Sequence, residues 1–270
     1  MKEKIKQVFF ENGIEYFAPR DYSTLTVINS RLEGRIGFDI KSAFIFLVPY
    51  YVSLGENISA YATSLDYHHV IRDIGARLIS GLSSLFPGEH FYISADHSPI
   101  DERAAALTSG LGILGKNGLI INESYGSYVF IGEILTSVEP CRVFASDPVE
   151  ISHCSGCGRC LFACPTGILR AEGDSCLSAI TQKRGELSEC ELSLMKKYGT
   201  VWGCDLCQTS CPHNAAPKVT PIELFHTERL TRVKKSDIEG MTDEEFARRA
   251  FAWRGRGVIL RNLQAVFPEE

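Results

Sequence analysis

A chain of 270 residues with 44% hydrophobic and 23% charged residues is composed like an ordinary globular protein, in one large or two modest domains. Its formal net charge of −5 excludes the overall basic footprint that nonspecific nucleic-acid binding leaves. The longest apolar run, Ala43 to Val52, is about half a membrane span and contains a proline, and MKEKIKQVFF has no signal-peptide core. A cytoplasmic protein without membrane contact is therefore expected.

In chain order, residues 2 to 12 read as an amphipathic helix stopped by Gly13 in the usual C-terminal position. Ala43 to Tyr51 is a short continuous apolar run and reads as a buried strand. From Ile58 to Phe86 the pattern turns helical. Ile71, Ile74, Leu78, Leu82 and Leu85 recur at three- and four-residue steps until Pro87-Gly88 ends the run. Phe91 to Ala95 alternates like a half-buried strand, and the polar turn Asp96-His97-Ser98-Pro99 leads into a short helix from Asp101 to Thr108. Leu119 to Ile121 and Tyr128 to Leu135 read as further strands.

This mixture predicts an α+β protein. An α/β domain is expected over residues 1–145, a cysteine-, glycine- and proline-rich module over 146–220, and a helical tail over 221–270. In the middle segment metal–thiolate bonds would stand in for a missing hydrophobic core. The tail is basic on one side, with Arg248, Arg249, Arg254, Arg256 and Arg261. The simple reading of these arginines is a solvated helix face; the other is a surface for a phosphate-bearing partner.

No cysteine precedes Cys141 or follows Cys211, and most lie at two- and three-residue intervals. That is metal-ligand spacing in a reducing compartment, not a disulfide framework. Cys154-x2-Cys157-x2-Cys160-x3-Cys164-Pro165 is the bacterial ferredoxin pattern, in which three thiolates grip one [4Fe–4S] cubane and the fourth serves the other cluster. Cys204-x2-Cys207-x3-Cys211-Pro212 is one cysteine short of a second set, and Cys176 is the natural supplier. The predicted sets are Cys154, Cys157, Cys160 and Cys211 for one cluster, and Cys164, Cys176, Cys204 and Cys207 for the other. Cys141 and Cys190 remain as ordinary thiols. Paired zinc sites also use C-x2-C, but a triple at two-residue spacing with Cys-Pro twice does not suit them.

Gly110-Leu-Gly112-Ile-Leu-Gly115 matches a dinucleotide-loop pattern, yet a helix precedes it and a strand follows, so a tight glycine-rich turn is the better reading. Asp96, at a strand end before a proline turn, reads from its surroundings as a turn-former or cap. His68 and His69 on the long helix read as surface or core filler. His153 and His213 flank cluster cysteines and would tune solvent access or hydrogen bonding there rather than bind iron.

Beyond the cysteines, an ordered series of motifs resembles the epoxyqueuosine reductase family. The series runs through Ile58-Ser-Ala-Tyr61, Asp66-Tyr67-His68, Asp96-x-x-Pro99 with Glu102-Arg103, and Gly110-Leu-Gly112-x-x-Gly115-Lys116-Asn117. It continues through Tyr125-Gly126-Ser127, Gly132-Glu133-Ile134-Leu135, Cys176-Leu-Ser-Ala-Ile-Thr-Gln, GCDLCQTSCPHN and Arg261-Asn262. The resemblance covers roughly residues 40 to 265.

It implies a corrinoid-binding-like N-terminal domain, a ferredoxin-like module with two [4Fe–4S] clusters, and cobalamin as the reactive cofactor. The implied reaction removes an epoxide oxygen as water, with electrons from a small ferredoxin- or flavodoxin-type donor. Asp96 matches the family's proposed proton donor. Tyr67, His68, Lys116 and Asn117 match positions lining the corrinoid and substrate cavity. Members usually continue into helical repeats that help hold the tRNA, so the sequence reads as a short member lacking them. Its implied substrate is then tRNA or a small electrophile. The alternative function is a dicluster electron-transfer protein without corrinoid catalysis.

Overall fold

Every residue of Ser42–Pro49 is buried, and a strand that hydrophobic throughout must be covered on both faces. In the computed structural model, which describes residues 1–269, it sits inside the sheet of the first of two compact units. That unit comprises Met1–Pro49 and Val70–Ser155. Its strands are β1 (Phe17–Asp21), β2 (Ser42–Pro49), β3 (Phe91–Ser94), β4 (Ile113–Leu114), β5 (Ile120–Ile121) and β6 (Val129–Thr136). The main sheet is ordered β1-β2-β6-β3 and antiparallel at every ladder, while β4 and β5 form a separate two-stranded hairpin.

Helix α1 (Lys2–Glu11) turns Ile5 and Phe9 inward, and Phe9 stacks on Phe17 with ring centroids 4.0 Å apart. The long helix α2 (Tyr67–Leu85) buries Ile71, Ile74, Leu78 and Leu82 of the predicted stripe together with Val70, while Leu85 is only half-buried. Gly75 lets it lie close on β3, since a Cβ there would meet Ile93 Cγ1 at 2.5 Å. Helix α3 (Glu102–Thr108) is capped by the Asp101 side chain, which accepts the Ala104 N–H at 2.9 Å. A core of Ala18, Ala43, Ile45, Leu47, Ile100, Ala106 and Leu135 packs between α3 and the sheet. Each fully buried large aliphatic side chain there contributes about 1.5–3 kcal/mol.

The second unit comprises Tyr50–His69 and the chain from Gly156 onward. Its core gathers Ile58, Trp202, Val233, Ile238, Phe251, Ile259 and Leu263. The tail expected as a separate third segment therefore packs inside this unit. Asn262 explains part of that. It is fully buried, and its Nδ2 donates to the carbonyls of Thr181 (2.6 Å) and Val201 (2.8 Å).

The helix predicted from Ile58 starts only at Tyr67. Residues 56–63 are instead committed to other strands of chain: the Glu56 N–H bonds to Thr231 O, Ser59 N–H to Trp202 O, and Thr63 O accepts from the Leu230 N–H. Asn57 pairs with Val233 through both its amide oxygen and its nitrogen. Tertiary backbone pairing overrides local propensity.

Arg248 stays exposed, but Arg249, Arg256 and Arg261 are not part of a solvated face and donate to backbone carbonyls. Arg249 is buried, and its guanidinium donates to Glu228 O at 2.5 Å. Arg256 donates to the carbonyls of Ile238 (2.5 Å), Met241 (2.8 Å) and Thr242 (2.7 Å). Among the described residues no helix is long and apolar enough to cross a membrane.

Candidate functional site

Apart from one ten-residue helix at Glu189–Tyr198, the cluster segment is loops and single helical turns, as suits a site held by thiolates. Gly156 (φ 74°) and Gly158 (φ 78°) take left-handed conformations that a side chain would resist, and they bend the chain between the cysteines of the first motif. Helix α4 (Arg159–Ala163) follows at once, carrying Cys160, and packs against α7 (Leu206–Thr209), which carries Cys207. Between them in sequence lie α5 (Leu177–Thr181), entered from Cys176, and α6 (Glu189–Tyr198), opened by a capping box at Ser188. Among the described residues no disulfide joins any of the ten cysteines, and Cys141 and Cys190 are both exposed.

Two thiols of the second predicted set, Cys176 and Cys164, lie within electrostatic reach of a third, Cys204. Burial pushes the Cys204 thiol up to about 11; the Leu206 N–H opposes this, while Cys176, Asp205 and Cys164 add to it. Cys164 behaves differently. Burial disfavours its thiolate, but the N–H groups of Leu169, Thr166 and Gly167 and the Thr166 hydroxyl outweigh it, and the thiol falls below its usual value. Such N–H···S donors stabilise cluster thiolates and tune the cluster's potential.

Among the described residues no three His, Cys, Asp or Glu side chains close on one point as ligands of a single ion do. A cubane asks instead for four thiolates spaced around its corners, and Cys204 has two of its three predicted co-ligands, Cys176 and Cys164, within electrostatic reach. Asp205 beside Cys204 is held by the Ala60 N–H at 2.6 Å and by the Ser59 hydroxyl, which fixes the residues leading into the second motif.

Cys154 is the one cluster cysteine in the first unit, next to its C-terminal boundary at Ser155. Its N–H donates to Leu114 O at 3.0 Å, and Leu114 N–H in turn bonds to Ser152 O at 2.8 Å. Leu114 belongs to the β4–β5 hairpin, whose tip carries Lys116 and Asn117. The glycine motif is thus a hairpin and not a dinucleotide loop. A Cβ on Gly112 would meet Ile120 Cγ2 and the Ile121 carbonyl oxygen, each at 2.7 Å. Lys116 is exposed. Asn117 Oδ1 accepts the Leu119 N–H at 3.3 Å, whereas its Nδ2 is buried with no hydrogen-bond partner.

Asp96 lies just past β3 and is exposed, with φ 61°. Asp tolerates that left-handed region better than most residues, at a cost of about 1 kcal/mol. Its N–H donates to Glu102 Oε1 at 2.9 Å, and the next peptide is turned by His97 N–H on Ala95 O at 2.7 Å. Tyr67 and His68 belong to the second unit. Their rings stack at 4.1 Å, and Asp66 accepts both the His68 N–H (2.9 Å) and its Nδ1 (2.7 Å). Asp66 is partly buried, which would raise its pKa, yet the His68 and His69 contacts hold it below the usual carboxylate range. His153 and His213 are exposed.

The residue not singled out from sequence is Glu133. It stands in β6 with no exposed surface, beside β2 and β3. Its signal was present: a carboxylate within the strand Val-Phe-Ile-Gly-Glu-Ile-Leu-Thr. Charged residues are almost never fully buried without a partner.

Residues 153–214, spanning all eight predicted ligands, match the family model described as a 4Fe-4S double cluster binding domain. Two [4Fe–4S] clusters are therefore the cofactors of this segment. Epoxyqueuosine reductase of Lactococcus garvieae (strain Lg2) is 34% identical over 212 residues, which cover 73% of this chain and 57% of that protein. The chain thus spans little more than half the length of that relative. The structure of epoxyqueuosine reductase from Streptococcus thermophilus superposes with a TM-score of 0.76 at 25% identity, covering 98% of this chain and 80% of that one. A crystal structure of epoxyqueuosine reductase with an epoxyqueuosine-modified tRNA-Tyr stem loop shares the fold at a TM-score of 0.78 and 23% identity, with the same coverage of both chains. The resemblance read from the motifs and the α+β architecture are both borne out.

Proposed function

We propose that this chain, similar to epoxyqueuosine reductases over most of its length, reduces an epoxide to an alkene, with the two clusters as its electron relay and a corrinoid as its reactive cofactor. Two electrons and two protons balance the change. Both carbon–oxygen bonds of the epoxide break, a carbon–carbon double bond forms, and the oxygen leaves as water. The observation that carries this reading is the extent of the similarity. It runs through 73% of the chain, whereas a bare electron carrier would be similar only across the 62 residues of the cluster segment.

When bound, the corrinoid supplies low-valent cobalt for the two-electron chemistry. The chain's own residues then do three things. Asp96 would give a proton from its carboxyl to the departing oxygen, since an alkoxide leaves poorly from carbon. Tyr67 and His68, Lys116, and the unpartnered Asn117 Nδ2 would hold the corrinoid and substrate. The cysteine sets 154, 157, 160, 211 and 164, 176, 204, 207 would hold the clusters.

The reductant in this reading is a small ferredoxin- or flavodoxin-type protein, the setting cytoplasmic, and the substrate an epoxyqueuosine nucleotide in tRNA; the stem loop carried by one structural neighbour supports the last. Anaerobic reconstitution followed by cobalamin titration tests the proposal through absorption and paramagnetic resonance spectra. Binding at micromolar cobalamin and turnover of an epoxyqueuosine stem loop are expected. Absence of any corrinoid binding would overturn it.

A further inference from the structure

The Asp96 loop is held from below by a residue that the chemistry itself does not use. Ser98 donates its hydroxyl to Glu133 Oε1, and the same Ser98 oxygen accepts the Ile100 N–H at 3.0 Å. Ser94, on the other flank of the loop, donates its hydroxyl to His97 O at 2.7 Å. Ser94 is also the residue of β3 that stands opposite Glu133 in the ladder. The second oxygen of Glu133 is sealed from water and has no partner of hydrogen-bond geometry, although the Ser94 hydroxyl lies near enough to favour its charge. Both serines are buried, while Asp96 between them is exposed in its left-handed conformation.

We infer that Glu133 is a positioning residue: through Ser98 and Ser94 it fixes both ends of the five-residue loop Ser94–Ser98 and so holds Asp96 in its strained, outward conformation. This rests on the reading of Asp96 as proton donor. The loop needs such an anchor, because a lone non-glycine residue at positive φ persists only where its surroundings over-determine it. Glu102 secures the Asp96 amide from the side, and Glu133 secures the loop's ends from the sheet.

The acid acts in its neutral form. Burial pushes its pKa up to about 8; the Ser98 hydrogen bond opposes this, Glu102 adds to it, and Ser94 opposes it again. A neutral carboxyl accepts from Ser98 with one oxygen and can offer its own proton to Ser94 with the other, and a glutamine amide does the same.

The test compares E133Q, E133L and S98A in the reconstituted holoprotein, with amide hydrogen exchange over residues 95–98 beside steady-state kinetics. E133L and S98A should speed exchange in that loop by about tenfold or more while the rest of the sheet stays protected. They should lower kcat by about 10- to 100-fold with little change in KM, the cost of a misplaced acid. The double variant should lose no more than either alone, and E133Q should restore both loop protection and turnover. S98A leaves the sheet core intact, so it decides the matter if E133L fails to fold. Unchanged exchange in S98A, or an E133Q as impaired as E133L, would overturn the inference. Exchange needs no substrate, so an inactive wild-type protein with a Glu133-dependent loop would fault the reading of the reaction and not the anchor.

Discussion

The backbone N–H of Cys154 bonds to the carbonyl of Leu114 at 3.0 Å. Leu114 is two residues before Lys116, so the first cysteine of the cluster pattern is tied by one peptide hydrogen bond to the hairpin that presents Lys116 and Asn117. Within the first unit, the first cysteine of the cluster pattern and the hairpin residues proposed for the cofactor share one hydrogen-bonded stretch of backbone. Gly112 and Gly115 make that piece possible, because a Cβ at Gly112 would run into Ile120 and Ile121 of the facing strand and one at Gly115 would run into Asn117 Oδ1.

Replacing Cys176 with serine should lower iron from about eight to about four per chain, since each cubane needs its full thiolate set. C190S should leave iron content unchanged, as this exposed thiol lies outside both sets. Colorimetric iron and sulfide on the anaerobically reconstituted variants read both. A C176S protein that keeps all its iron would break the assignment.

Asp96→Asn should lower turnover by about 10²- to 10⁴-fold, the usual worth of a positioned general acid. Cobalamin affinity and the cluster resonance spectra should stay as in the parent, because asparagine keeps the size of the side chain and leaves the Asp96 N–H to bond Glu102 Oε1. Loss of cobalamin binding in this variant would mean that Asp96 serves the cofactor instead.

Stability should fall as pH rises through neutrality, and Glu133 gives the sign. Its folded-state pKa is raised from 4.5 to about 8, so the folded chain holds a proton that the unfolded chain has released. The contribution is complete below about 4.5 and lost as pH passes about 8, amounting to at most a few kcal/mol. Denaturant midpoints across that window should decline in the parent and decline less in E133Q. Equal slopes in the two proteins would refute it.

Arg256→Ala should destabilise the second unit by about 1–3 kcal/mol, because it strips three carbonyls of a charged donor where helix α8 (Lys235–Gly240) ends and the chain enters α9 (Asp243–Ala247). Affinity for a tRNA stem loop should not change beyond what partial unfolding explains. A large drop in affinity with unchanged melting temperature would return this arginine to the phosphate-binding role.

Much of this molecule is legible in one dimension. The cysteine spacing, the apolar run Ala43–Tyr51 that carries the buried strand Ser42–Pro49, the α2 stripe and the Asp101 cap each follow from local rules, since a thiolate set, a buried strand, a helix face and a cap are all defined within a few residues. Strand β1 was harder to see. Phe-Ala-Pro-Arg-Asp carries a proline and two charges, and it is a strand because β2 pairs with it residue for residue.

What the sequence determined by itself is therefore the cofactor chemistry and the elements whose pattern closes on itself. The tertiary structure decided which distant groups meet. It took residues 58–66 out of the predicted helix and set Ser59 and Thr63 against Trp202 and Leu230, it laid Arg249, Arg256 and Arg261 on carbonyls, and it set Glu133 beneath the Asp96 loop. The reason is common to all three. Each depends on a buried polar group finding its partner tens of residues away, and that requirement is met only once the chain has closed.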